Sequence, residues 1–181
     1  GRPEVRQFIR DNALYWLEEY HLDGLRFDAT AHIRNVTGNE NEGDNLSDGW
    51  NLLRWINDEI NARQPWKITI AEDLRNNPAL TAATTEGGAG FDAQWDAGFV
   101  HPVRAAIIGQ DDAYRSMGAL AGAVTNRYND SAFKRIIYTE SHDEVANGKA
   151  RVPEEIWPAN AGSVAAKKRS TLGAVLTFTA P

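Results

Sequence analysis

The stretch that decides the fold is "LDGLRFDATAH", residues 22–32. Successive side chains of an extended chain point to opposite sides, so Arg26 and Asp28 share one face and Leu25 and Phe27 share the other. The run therefore reads as an apolar strand that ends by setting a guanidinium beside a carboxylate. Taken alone, such a pair is as consistent with a structural ion pair as with the rim of a site. The rest of the chain has to decide between them.

Two further runs have the same form. "KITIAED", residues 67–73, is a β-branched strand ending in two acids, and "FKRIIYTESHDE", residues 133–144, is an apolar strand that also ends in acids. Between and around them the apolar residues fall at helical spacing. Val5, Phe8, Ile9, Ala13, Trp16 and Leu17 predict a helix over 3–20, with Pro3 suited to its first turn. Leu52, Leu53, Ile56 and Ile60 predict a second helix over 50–63, which Pro65 ends. A weaker strand is expected over 91–99, a helical stretch over 101–124, a helix near 163–173 and a last strand over 174–179. "GNENEGDNLSDG", residues 38–49, reads as a polar loop.

Strand and helix alternate, which implies parallel strands covered by helices, an α/β class. A doubly wound sheet announces itself with a Gly-rich phosphate turn, and neither G-x-G-x-x-G nor G-x-x-x-x-G-K-[ST] occurs. A (β/α)8 TIM barrel instead places polar residues at several strand ends, on its C-terminal face. Asp28 and Glu72 lie 44 positions apart, and Glu72 and Asp143 lie 71 apart. With roughly 31 residues per barrel unit, these are one unit with a long loop and then two units. Residues 1–181 are read as one partial barrel with no internal boundary.

Composition narrows the chemistry. The chain has 181 residues, 42% hydrophobic, with six Trp, six Phe and five Tyr, enough for a packed core. Its net charge is −6 with no basic cluster, so neither nucleic acid nor an anionic membrane is an expected partner. It has no cysteine, which excludes disulfides and thiolate metal sites and permits a reducing compartment. No apolar run reaches membrane-spanning length. A cytoplasmic location is the expectation. The chain begins with Gly1 and stops just after "AVLTFTAP", so it is expected to be a piece of a longer parent.

Three carboxylates in one barrel mouth must share a proton, hold a cation or be tuned apart. Tuning apart suits glycoside hydrolysis. One acid attacks the sugar carbon, the other protonates the leaving oxygen, and in retaining enzymes they stand about 5–5.5 Å apart. A divalent metal site is the competing reading, and Arg26 argues against it because it would compete for Asp28.

These residues carry a resemblance. "GLRFDATAH", Gly24 to His32, is similar to the G-x-R-x-D-x-x-x-H signature of the α-amylase superfamily, glycoside hydrolase family 13. "IAED" resembles that family's acid/base strand end, and "SHDE" resembles its last signature. The resemblance implies catalysis by Asp28 as nucleophile, Glu72 as acid/base and Asp143 as stabiliser of the distorted sugar. It implies substrate binding by Arg26, which would orient Asp28, and by His32 and His142. Trp95, at a strand end, is the candidate sugar-stacking ring; Trp50, Trp55 and Trp66 read as packing. The family's first signature is absent, so the chain would cover about strands four to eight.

The implied activity is a retaining glycosidase or transglycosidase on α-1,4-glucans. "SHDEVANGK", Ser141 to Lys149, resembles the branching-enzyme version of the last signature. Ser141 and Ala31 replace the Asn and Lys usual in hydrolytic amylases. Against this, "AED" lacks the second Glu common in branching enzymes, and "FDAQWDAGF" is similar to trehalohydrolase-like members. A hydrolytic α-amylase, a trehalohydrolase-like enzyme and a non-catalytic amylase-fold binding protein stay open as alternatives. No cofactor is expected, although the parent could hold a structural calcium. The expected partners are an α-glucan or maltooligosaccharide and the rest of the parent chain. The 181 residues alone are expected to be inactive.

Overall fold

The structure, a computed structural model, describes residues 2–146 and 148–181. The chain groups into two compact units, residues 2–95 with 128–136 and residues 96–127 with 137–181.

The first unit holds α1 (Pro3–Glu18), β1 (Gly24–Phe27), α2 (Thr30–Arg34), α3 (Ser47–Arg63), β2 (Ile68–Ala71), β3 (Ala93–Trp95) and, at its end in sequence, β4 (Arg135–Ile136). The four strands form one wholly parallel sheet in the order β1-β2-β3-β4. Pro3 opens α1, where its missing N–H leaves nothing unsatisfied. Ala13, Leu14 and Leu17 of α1 pack on Ile56 and Ile60 of α3, with Leu25 and Phe27 of β1 against them. This is the apolar face that the alternation in 22–29 predicts. A second cluster, centred on Leu53, Ala71, Leu80, Ala89 and Phe91, covers the next part of the sheet. Gly24 lies so close to β2 that a Cβ there would collide with the Ile68 carbonyl oxygen. The first rung of the ladder, Gly24 opposite Ile68, thus depends on the missing side chain.

The second unit is helical: α4 (Ala97–Ile108), α5 (Met117–Thr125), α6 (His142–Val145), α7 (Val152–Ile156) and α8 (Val164–Thr179). Phe99, Val103 and Ala123 form one core cluster, with Leu120, Ile137, Leu176 and Ala180 packed on it; Ile107, Val152, Ile156 and Ala166 form another.

Three expectations are corrected. The strand expected over 174–179 is the last third of α8. Ser163 caps that helix by accepting from the Ala166 N–H, and Thr177 and Thr179 donate their hydroxyls to the carbonyls of Gly173 and Val175 four residues back. A helix satisfies its backbone internally, which outweighs the modest strand preference of "VLTFT". The sheet consequently has four strands among the described residues, not five. The stretch 133–144 keeps only two residues in the sheet. A 3-10 turn over Ala132–Lys134 precedes them, and α6 begins at His142. The helical stretch 101–124 is two helices. Asp111 interrupts it by accepting from the Ala113 N–H, and Arg115 ties the break to the carbonyls of Ala106 and Gly109. Among the described residues no helix is long and apolar enough to cross a membrane.

Candidate active site

β1 and β2 run in register to Phe27 opposite Ala71, so Asp28 and Glu72 are the next residue of each. The ladder continues past both, with the Glu72 N–H donating to the Phe27 carbonyl at 2.9 Å and the Thr30 N–H to the Glu72 carbonyl at 2.8 Å. Gln94 of β3 stands opposite Ala71, which brings Trp95 level with Glu72. The C-terminal ends of three neighbouring strands thus carry Asp28, Glu72 and Trp95.

Arg26 joins them. Its guanidinium donates to Asp28 Oδ1, lies 3.7 Å from Glu72 Oε2, and sits over the Trp95 ring at 4.4 Å from the centroid. One fixed cation therefore serves two carboxylates that would otherwise repel, and an aromatic face supports it. The two acids differ in setting. The Asp28 side chain is 75% exposed and that of Glu72 only 11%. An accessible, Arg-paired carboxylate next to a sheltered one is the asymmetry that divides nucleophile from proton donor in double-displacement chemistry.

Glu72 is gripped from one side. Its Oε2 accepts from the Ala29 N–H at 2.6 Å, and Ala29 takes a left-handed conformation, φ +48°, unusual for a residue with a Cβ. The neighbouring Asp73 is fully buried and paired in two-pronged fashion with buried Arg34, Nε to Oδ2 and Nη2 to Oδ1, both 2.8 Å. Burial alone would pull the Arg34 guanidinium toward neutrality, but the carboxylates of Asp73 and Glu40 raise its pKa instead.

The last signature lies in the second unit. Ser141 caps α6 by accepting from the Glu144 N–H, 3.3 Å, and His142 and Asp143 stand on the first turn, both exposed, with Nε2 and Oδ2 3.5 Å apart. Glu144 turns inward. Its Oε2 is 3.3 Å from Arg104 Nε and 3.8 Å from Lys149 Nζ, and its Oε1 is 3.9 Å from His101 Nδ1. Arg104 also donates to the carbonyls of Thr139, Glu144 and Ala150, which fastens both flanks of the signature. Asn147 of the run 141–149 lies outside the described residues.

The structure thus gathers Arg26, Asp28, Glu72 and Trp95 at one set of strand ends, and His142 with Asp143 on α6. His32 lies on α2, its ring against Gly38, where φ is +66° and a Cβ would collide with the imidazole. Trp66 is 69% exposed and packs less than its reading predicts; Trp50 and Trp55 are overlaid by arginines, Arg34 and Arg54 on the first, Arg6 and Arg10 on the second. In the acid-rich loop the side chains serve one another. Glu40 meets Arg34 and Asn77, and Asp44 meets Thr37 and Asn41. Among the described residues no group of three or more His, Cys, Asp and Glu is placed to hold a metal ion.

Sequence reasoning missed Thr30, Arg34, Asp73, Arg104 and Glu144 as parts of the two sites. The signal for the two acids was present. Each signature ends in consecutive carboxylates, and consecutive side chains cannot both face one site. Their arginine partners, dozens of residues away, left no local mark.

An arginine-linked acid pair on a parallel α/β sheet, with a separate His-Asp signature, agrees with the resemblance seen in the sequence, and the comparisons bear it out: the chain belongs to the α-amylase superfamily, glycoside hydrolase family 13. Three curated relatives within it carry one name. The chain is 35% identical to the 1,4-alpha-glucan branching enzyme GlgB of Corynebacterium jeikeium, over 95% of the chain and 25% of that protein. It is 32% identical to the enzyme of the same name from Myxococcus xanthus, over 87% of the chain and 23% of that protein. With the Aliivibrio fischeri enzyme it shares 33% identity, over 86% and 23%. The chain spans about a quarter of the length of the curated relatives it matches. No family model matches it.

Proposed function

We propose that this chain carries the catalytic acids of a retaining transglycosidase that cuts α-1,4-glucan and rejoins the cut chain as a branch. The observation that carries the reading is Arg26, set between Asp28 and Glu72 at neighbouring strand ends. Asp28 attacks the anomeric carbon and forms a covalent glycosyl–enzyme bond while Glu72 protonates the departing oxygen. Glu72 then takes the proton of an incoming sugar hydroxyl, which displaces Asp28 with overall retention. A branching product follows when that hydroxyl belongs to another glucan chain rather than to water. Asp143 is assigned stabilisation of the sugar's developing positive charge on its signature alone, and Arg26, His32, His142 and Trp95 are assigned to the sugar on the same ground.

The four-stranded sheet is read as part of a (β/α)8 catalytic barrel, its strands corresponding to four through seven, and residues 1–181 as the C-terminal part of that domain. A cytoplasmic enzyme, with the rest of its polypeptide as partner, fits the absence of cysteine.

The test uses the full-length polypeptide that contains these residues, with amylose as substrate. Iodine staining falls while reducing ends stay nearly flat, and Asp28→Ala abolishes the fall in staining. Reducing ends that rise in step with the loss of stain would identify a hydrolase instead. A first product of β configuration would end the double-displacement reading.

A further inference from the structure

We infer that Thr30, Arg34 and Asp73 form a positioning device for Glu72, holding its Oε2 so that Oε1 is the oxygen that transfers the proton; this rests on the reading of Glu72 as acid/base. The device is built from buried groups. The Asp73 side chain has no exposure and that of Arg34 has 1%, and a charge so far from water persists only when well paired. Their two parallel bonds fix α2 against the residue that follows Glu72. Thr30, at the start of α2, completes the link. Its Oγ1 lies 2.9 Å from the Glu72 carbonyl oxygen and 3.2 Å from Asp73 Oδ2, within hydrogen-bond reach of both.

The consequence is felt at the carboxylate. With α2 held in this way, two consecutive backbone N–H groups face Glu72, that of Thr30 toward its carbonyl and that of Ala29 toward Oε2. The N–H that meets Oε2 is that of Ala29, the residue in the left-handed conformation. An alanine there costs about 1–2 kcal/mol of backbone strain. That strain persists because the surrounding bonds over-determine it. A structural ion pair would have no need of this arrangement: the Arg34–Asp73 bonds could tie α2 to the sheet without an N–H aimed at the neighbouring carboxylate.

The test separates proton delivery from folding by the leaving group. In the full-length polypeptide, Thr30→Val removes the hydroxyl while nearly keeping the shape. The two substrates are a maltooligosaccharide and an α-maltooligosaccharyl fluoride, whose fluoride departs without a proton; the first-turnover release is followed in each case. Thr30→Val is expected to slow cleavage of the natural bond about 10–100-fold, within the range that proton transfer contributes. Fluoride release should change by less than about threefold, and Thr30→Ser should recover most of the loss. Arg34→Met should show the same selectivity if it folds. Equal losses on both substrates, or none on either, overturn the inference and leave the pair a structural one. Glu72→Gln is the control that tells the two failures apart. If it too fails to discriminate between leaving groups, the acid/base reading falls and takes the inference with it. If it discriminates and Thr30→Val does not, the positioning device alone is overturned.

Discussion

Two places in the molecule end in consecutive acids, Glu72-Asp73 after β2 and Asp143-Glu144 on α6, and each solves the same problem. Neighbouring carboxylates cannot both occupy a reactive setting. In each pair one acid is buried against an arginine, Asp73 against Arg34 and Glu144 against Arg104; of their neighbours, Asp143 is exposed, whereas Glu72 is sheltered and faces Arg26. The difference lies in tightness. Arg34 grips Asp73 with two bonds of 2.8 Å, whereas Arg104 meets Glu144 at 3.3 Å and spends its other donors on three backbone carbonyls. The strand-end anchor is an ion pair in the strict sense. The α6 anchor is a loop clamp that happens to include a carboxylate.

The comparison can be broken or sharpened by substitution. The largest effect is expected from Glu72→Gln, which should lower turnover of the full-length polypeptide about 10²–10⁴-fold without shifting its unfolding temperature. A comparable loss from Asp73→Asn, with Glu72→Gln harmless, would reverse the assignment of worker and anchor. Asp73→Ala strands Arg34 in the interior and should cost about 3–5 kcal/mol in denaturant-induced unfolding. Glu144→Ala should cost less, about 1.5–3 kcal/mol, because Arg104 retains its carbonyl partners; equal costs would erase the distinction between ion pair and clamp. Ser141→Ala, which removes the cap of α6, should cost about 1 kcal/mol by the same measurement. Lys149→Ala removes an exposed contact 3.8 Å from Glu144 and should change stability by less than about 1 kcal/mol.

Much of this was legible in the sequence because period and chemistry coincided. The alternation in 22–29 put Leu25 and Phe27 on the core side and Arg26 with Asp28 on the other, as found, and β2 with its terminal acids followed the same rule. Helix α1 was legible from its apolar spacing and from Pro3. What was not legible depended on distant partners. "VLTFT" reads as a strand only while no helix precedes it; a capped Ala-Lys-rich run feeds it directly, so α8 continues through. β4 keeps two residues because Ile137 is drawn into the cluster around Phe99 and Val103. The arginines that anchor Asp73 and Glu144 sit 39 and 40 positions from the residues they hold, and no spacing rule reaches that far.

The distance between β1 and β2 along the chain also sets an order of events. Arg26 and Asp28 are made almost together on the ribosome, whereas Glu72 comes 44 residues later, roughly 2–9 s at ordinary rates of synthesis. Closing a loop of that length carries a length-dependent entropy cost of about 3 kcal/mol, and β1 and β2 have only four paired positions with which to offset it. The packing of α1 on α3 must therefore supply much of the closure. Until it does, the nascent chain presents Arg26 with Asp28 alone, and the second carboxylate arrives at a cation already engaged.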